Sequence, residues 1–263
     1  MNKSSKKNKD SIKLKSKKAL GLISAVLVLF GVIDVSIYQN NKNTHDELIS
    51  KAPDIKPGKK IYLTFDMDMS DTMSRRLEKQ KDFKWYDPEL ISYLDKNNIQ
   101  ATFFISGLFA DTYPEVIRSL ALNPNFSFQN HAYDESAFVS NCYWLKTLKT
   151  DKDKIEQIMK TQISIQKTAG QTPDYFRYPG ICHDQKNDEL VQKLGFKISN
   201  GNVIPSDPFN HNKEKMVKTV MKEAKDGSVV VMHVGGPNAP KSLEVLKQIV
   251  PELASKDFIF AKL

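Results

Sequence analysis

The chain has 263 residues, 40% hydrophobic and 27% charged, which suits one large globular domain or two small ones and excludes a disordered chain or a peptide scaffold. Its 11 glycines and 12 prolines exclude collagen-like and low-complexity proteins. The formal charge of +8 sits at one end: residues 1–18 hold eight lysines and one acid, Asp10, a net of +7, so 8 − 7 leaves +1 on the other 245 residues. That remainder lacks the basic stripe a phosphate backbone requires, and nucleic acid is not an expected partner.

The basic tail over 1–18 runs into residues 19–38, apolar from Ala19 to Ile33, interrupted by Asp34 and resumed from Val35 to Tyr38. This 20-residue stretch, at about 1.5 Å of rise per residue, covers roughly 30 Å, one bilayer core. Lysines on its N-terminal side put that end in the cytoplasm, so the stretch reads as a transmembrane signal anchor with everything after Tyr38 outside. No clear small-x-small cleavage pattern lies between Ile33 and Asn43; if the segment is nonetheless removed, the domain is secreted. Residues 39–58 are polar, contain two prolines and show no sustained apolar period, which is the pattern of a linker.

From residue 59 to 263 short β-rich runs alternate with longer helical ones. Strands are expected over 61–65, 101–105, 126–129, 175–178, 196–199, 228–232 and 257–261. Helices are expected over 88–97, 113–122, 152–168, 187–194, 213–225 and 241–254. Strand alternating with helix implies an α/β fold with parallel strands and crossovers, either a barrel or a doubly wound sheet.

Asp66 and Asp68 follow the first strand, His131 the third and Arg177 the fourth, with Asp207 beyond the fifth and His233 after the sixth. All fall at C-terminal strand ends, which share one rim in a βα barrel. The aspartates are expected to converge only where the chain turns past Phe65. Asp68, His131 and, if the chain turns helically after His131, Glu135 then supply two oxygens and one imidazole with an open position, a catalytic divalent-metal set. Glu135 as an ordinary solvated acid is the competing reading. Zinc is the first choice, with cobalt, manganese or nickel as alternatives. Its bound water would attack a carbonyl. His233 would protonate the leaving group, Asp207 would keep His233 charged and oriented, and Arg177 would do the same for the Asp66 carboxylate.

The order Thr64-Phe65-Asp66 with Asp68 close behind, Asn130-His131, Phe176-Arg177-Tyr178-Pro179-Gly180, Asp207 and Val231-Met232-His233 resembles the polysaccharide deacetylase family, the NodB homology domain or carbohydrate esterase family 4. The resemblance runs from about Ile61 to Leu263. It implies a distorted (β/α)7 barrel and metal-dependent removal of acetyl groups, usually N-acetyl groups of amino-sugar polymers such as peptidoglycan, chitin-like chains or exopolysaccharide. By the same resemblance Asp66 matches the catalytic base, Asp68 and His131 metal ligands, Arg177 the residue that positions the base, Asp207 the partner of the acid and His233 the general acid. Val231 matches the apolar residue lining the acetate pocket, and Gly180 the backbone N–H offered to the oxyanion. Three positions depart from the family pattern. Glu135 stands where a second histidine is usual, Asp66-Met-Asp68-Met-Ser70 replaces the usual Asp-Asp-Gly-Pro run, and the aromatic residue expected just after Asp207 is displaced to Phe209. Alternatives are a hydrolase of O-acetyl esters or small amides on the same fold, or an inactive glycan-binding protein of the cell envelope.

Cys142 and Cys182 are the only cysteines. Outside the cytoplasm they can oxidise to a bridge, and zinc ligation is the alternative. Trp85, Tyr86, Tyr143 and Trp144 fall in long loops, where they either stack on sugar or plug the loops to the barrel.

Overall fold

The computed structural model describes residues 58–80 and 82–263; the basic tail, the anchor expected over 19–38 and the linker up to residue 57 lie outside the described residues. Among the described residues no helix is long and apolar enough to cross a membrane.

All seven expected strands form: β1 (Lys59–Met67), β2 (Ala101–Ile105), β3 (Phe126–Asn130), β4 (Tyr175–Phe176), β5 (Lys197–Ile198), β6 (Ser228–His233) and β7 (Phe258–Ala261). Their order is β5-β4-β3-β2-β1-β6 with β7 on β1, and every pairing is parallel. No strand ladder joins β5 to β6. Val203, just beyond β5, makes a single parallel bridge to Val230, so the barrel is drawn together there only by the short hydrogen-bonded stretch between residues 202–203 and 229–231. Strands β2 and β3 are buried at every residue, as strands covered on both faces must be.

Helices α1 (Asp71–Lys79), α2 (Pro88–Lys96), α3 (Gly107–Thr112), α4 (Pro114–Leu120), α5 (Asp151–Ala169), α6 (Gln185–Lys193), α7 (Lys213–Glu223) and α8 (Ser242–Ala254) accompany the strands. Local chemistry sets their ends. Thr150 and Asp153 form a reciprocal capping box at the start of α5, and Gly170 closes it in the left-handed conformation at φ 68°. The single helix expected over 113–122 is preceded by another. Pro114 pushes Tyr113 out of the helical region, to φ −123° and ψ 54°, which separates α3 from α4. The main core lies between the sheet and the helices, around Phe65, Phe103, Phe109, Val230 and Leu246. A second cluster, including Phe138, Ile158, Phe176 and Tyr178, fills the space under the long 131–150 segment.

Register is what positions the site. Asp66 lies opposite Phe104 on one side and His233 on the other, and Asn130 lies opposite Phe176. The C-terminal ends of β1, β3, β4 and β6 therefore meet at one rim.

Candidate active site

Strand β1 runs two residues past Phe65, so the expected turn between the two aspartates does not occur. In an extended chain residues i and i+2 share a face, and that period of two, not a bend, turns Asp66 and Asp68 the same way. Asp66 is 4% exposed. Its Oδ1 accepts a hydrogen bond from Arg177 Nη1 at 2.6 Å. Arg177 is fully buried and uses its other donors as well, Nη2 to Thr64 Oγ1 at 2.8 Å and Nε to the Ser199 carbonyl at 2.9 Å, while its guanidinium lies 3.8 Å over the Phe104 ring. Burial pulls the Arg177 pKa down and Asp66 opposes it. A guanidinium with this many fixed partners has one position, and so has the carboxylate bound to it.

His131 follows β3. Its Nδ1 lies 3.0 Å from the Arg177 carbonyl, which can only accept, so Nδ1 carries the proton and Nε2 is left with its lone pair. That Nε2 is 3.5 Å from Asp68 Oδ1 and 3.9 Å from Glu135 Oε2. Glu135 reaches the site without a helical turn. The chain bends instead through left-handed residues, Ala132 at φ 59° and Glu135 itself at φ 62°. One donor atom from each of Asp68, His131 and Glu135 falls within 4.8 Å of the others. Asp68 Oδ1 and Glu135 Oε1 are buried without any hydrogen-bond partner. Two buried carboxylates, each with one orphaned oxygen, around a lone pair cost free energy as they stand. A divalent cation satisfies all three, so the donor set fits a metal.

Burial first, then the Asp68 and Asp66 carboxylates, push the Glu135 pKa well above the usual carboxylate range. Burial also opposes ionisation of Asp68, but His233 above all, with the Asn238 amide, holds its carboxyl below that range.

His233 ends β6. Its Nδ1 is 2.8 Å from Asp207 Oδ1, and its backbone N–H donates to Asp207 Oδ2 at 2.8 Å. Ser242 Oγ donates to the same Oδ2 at 2.5 Å, so Asp207 is held from three sides. The other ring nitrogen, Nε2, faces the cavity 3.3 Å from Asp68 Oδ2. Burial works against charge on His233, yet Asp207 and Asp68 raise its pKa well above the ordinary histidine value.

Asp66, Asp68, His131, Glu135, Asp207 and His233 line one concavity of about 590 Å³, together with Gly180, Val231, Trp85, Tyr143, Trp144 and Phe209, while Arg177 is fully buried outside its lining. Gly180 has φ 64°, and a Cβ there would lie 2.7 Å from Cys142 Sγ, so only glycine fits. Cys142 and Cys182 form a disulfide, which removes the zinc-ligand alternative for that pair. The aromatic residues divide. Trp85 donates Nε1–H to the Met73 carbonyl, and Tyr86 packs on Phe109 and Tyr113, so both fasten a loop; Tyr143 and Trp144 are exposed.

Every residue singled out in the sequence for metal binding or proton transfer is in this cavity. Four supporting partners were missed: Thr64, Ser199, Asn238 and Ser242. Asn238 donates Nδ2–H to Asp68 Oδ2 at 3.1 Å from the Gly235-Gly236-Pro237-Asn238 turn after β6. A polar side chain in the turn after a catalytic strand was the available signal. Thr64 offered another, two residues before Asp66 on the same face. Ser199 acts through its carbonyl, which side-chain identity cannot reveal.

Residues 54–199 match the family model for polysaccharide deacetylase. The chain is 26% identical over 182 residues to the peptidoglycan-N-acetylglucosamine deacetylase of Bacillus cereus, covering 68% of this chain and 62% of that protein. It is 28% identical over 167 residues to the peptidoglycan-N-acetylmuramic acid deacetylase PdaC of Bacillus subtilis, covering 62% of this chain and 33% of that one. The chain thus spans between one third and somewhat under two thirds of the length of these relatives. Among solved structures, that of the peptidoglycan deacetylase PdaC from Bacillus subtilis superimposes with a TM-score of 0.61 at 23% identity, over 80% of this chain and 90% of that one.

Proposed function

Since this chain belongs to the polysaccharide deacetylase family, we propose that it hydrolyses N-acetyl groups on an amino-sugar glycan outside the cytoplasm, with a divalent cation, zinc in the first instance, held by Asp68, His131 and Glu135. The observation that carries the reading is a pair of buried carboxylates with an orphaned oxygen each: Asp68 Oδ1 lies 3.5 Å from His131 Nε2, and Glu135, whose Oε1 is orphaned, has its Oε2 3.9 Å from the same nitrogen, between two separately oriented proton-transfer groups. The substrate class is supported by the named activities of the relatives in Bacillus cereus and Bacillus subtilis. Export is supported by the Cys142–Cys182 bridge, since disulfides persist in oxidising compartments. The anchor over 19–38 remains part of this proposal, with secretion as the outcome if it is cut.

When bound, the cation supplies Lewis acidity to the acetyl carbonyl and to the attacking water. Asp66, fixed by Arg177, accepts the proton that the water loses as its oxygen bonds to the carbonyl carbon. The Gly180 N–H, on the cavity wall, receives the negative charge that builds on the carbonyl oxygen. Val231, 3% exposed, shields the acetyl methyl from water. As the carbon–nitrogen bond breaks, charged His233 gives its Nε2 proton to the departing amine, and Asp207 stabilises and orients the ring throughout. The products are acetate and a free amino sugar.

Acetate release from N-acetylglucosamine oligomers, measured with zinc and again after chelation, tests this. Release that stops on chelation and is lost in Asp68→Ala is expected. Acetate from acetylated xylan alone would point to an esterase, and no acetate with any divalent metal would point to a glycan-binding protein without catalysis.

A further inference from the structure

Two loops that reach the cavity from different parts of the chain are joined by one covalent bond, Cys142–Cys182. Each cysteine sits beside backbone that ordinary residues avoid. Asn141 and Tyr143 flank Cys142 at φ 60° and 50°, and Gly180 and Ile181 precede Cys182 at φ 64° and 59°. For Ile181 this is costly, because a β-branched side chain crowds its own backbone at positive φ. Such a conformation persists only where its surroundings fix it.

The turn is held unevenly. Upstream, Tyr178 is fully buried in the second apolar cluster, and its N–H donates to Asn200 Oδ1 at 3.3 Å. Within the turn the Ile181 N–H donates to the Tyr178 carbonyl at 2.9 Å, but the Cys182 N–H reaches the Pro179 carbonyl only at 3.4 Å. Downstream, His183 and Asp184 are exposed. The bridge supplies the hold on that side. Cys142 is buried, and its segment is closed at the base by Ala137 N–H to the Lys146 carbonyl at 2.8 Å and Leu148 N–H to the Ala137 carbonyl at 2.9 Å. A Cβ on Gly180 would lie 2.7 Å from Cys142 Sγ, 3.1 Å from the Tyr143 ring and 3.3 Å from Leu145, so the glycine lies flush against that segment.

We infer that the Cys142–Cys182 bridge is a positioning element for the hydrolysis: it holds the Gly180–Ile181 turn so that the Gly180 N–H stays where negative charge builds on the carbonyl oxygen. This deepens the deacetylase reading and rests on it for the role of that N–H. Asp66 is fixed by Arg177, and His233 by Asp207 with Ser242, none of them bonded to either cysteine. Cleaving the bridge therefore weakens charge stabilisation and leaves proton transfer and the metal ligands in place.

The test compares the whole protein before and after reduction by a trialkylphosphine, which splits the S–S bond into two thiols and becomes the phosphine oxide with an oxygen from water. The paired substitution Cys142→Ser, Cys182→Ser is the permanent counterpart. In both, kcat on the N-acetylglucosamine tetramer is expected to fall about tenfold, part of the roughly 10²–10³ cost of removing an oxyanion donor outright. KM, zinc affinity and both limbs of the pH profile are expected to stay unchanged, because the lost interaction is made in the transition state. Reoxidation of the reduced protein with oxidised glutathione restores kcat. An unchanged kcat would overturn the inference, and so would a loss accompanied by weaker zinc binding or a shifted limb, which marks general loosening. Magnetic-resonance relaxation of the Gly180 amide separates the inference from the reading it rests on. In a protein that releases no acetate, an amide that becomes mobile on reduction would uphold the hold on the turn and overturn the hydrolase reading, whereas one that stays rigid would overturn both.

Discussion

Glu135 is the residue at which this site is most its own. It brings a third carboxylate beside Asp66 and Asp68, and burial with those two neighbours disfavours its charge unless a cation is present. A cation therefore gains from Glu135 both a ligand and relief of repulsion. Calorimetric titration of the metal-stripped protein with zinc is expected to show affinity about 10- to 100-fold weaker in Glu135→Gln, with Glu135→His recovering much of it. Equal affinity for wild type and Glu135→Gln would mean that Glu135 is not a ligand. At this scale the sequence was informative because metal and proton chemistry uses few residue types, and Asp66, Asp68, His131, Arg177, Asp207 and His233 stood at strand ends. It was silent on Asn238 and Ser242, whose amide and hydroxyl are too common in turns and helix starts to stand out. It also misjudged the Asp66–Asp68 pair, because the end of β1 was placed two residues early and the period of two was set aside in favour of a turn.

The elements divide by what stabilises them. Strands with continuous apolar runs, such as Ala101–Ile105, were read to the residue, since burial on both faces leaves a plain signal. Helix α1 was missed: it has no fully buried residue, and its marks are slight, the cap that Ser70 gives to the Met73 N–H and a narrow apolar face of Met73 and Leu77 laid against the core. Helix α3 was missed because it is six residues long and begins with glycine. The 131–150 segment carries no periodicity at all, since its shape comes from left-handed residues, the second apolar cluster and the Cys142–Cys182 bridge. That bridge closes a sequence separation of 40 and contributes about 4 kcal/mol in the chain-entropy account. Calorimetric melting of the Cys142→Ser, Cys182→Ser protein is expected to lie roughly 10 °C below wild type. A shift under about 2 °C would mean that strand pairing and the second cluster hold the segment unaided.

For the molecule as a whole, alternation of strand and helix gave the α/β class, and seven parallel strands are present. The incomplete closure was not legible, because it depends on β4 and β5 being only two residues long and on the single Val203–Val230 bridge. The rim argument survived this, since in-register strands bring Asp66 beside His233 whether or not the ring closes. The family model ends at residue 199, so Asp207 and His233 rest on the geometry that puts them opposite the motifs it covers. Everything proposed for the chemistry converges on one location between Asp68, His131 and Glu135. Anomalous diffraction at the zinc edge, from crystals of the protein grown with zinc, examines that location most directly. The account predicts a single strong peak at roughly 2.0–2.2 Å from the His131 Nε2 and Asp68 carboxylate positions. A zinc-loaded crystal with no peak there, or with the metal held elsewhere on the chain, would contradict it.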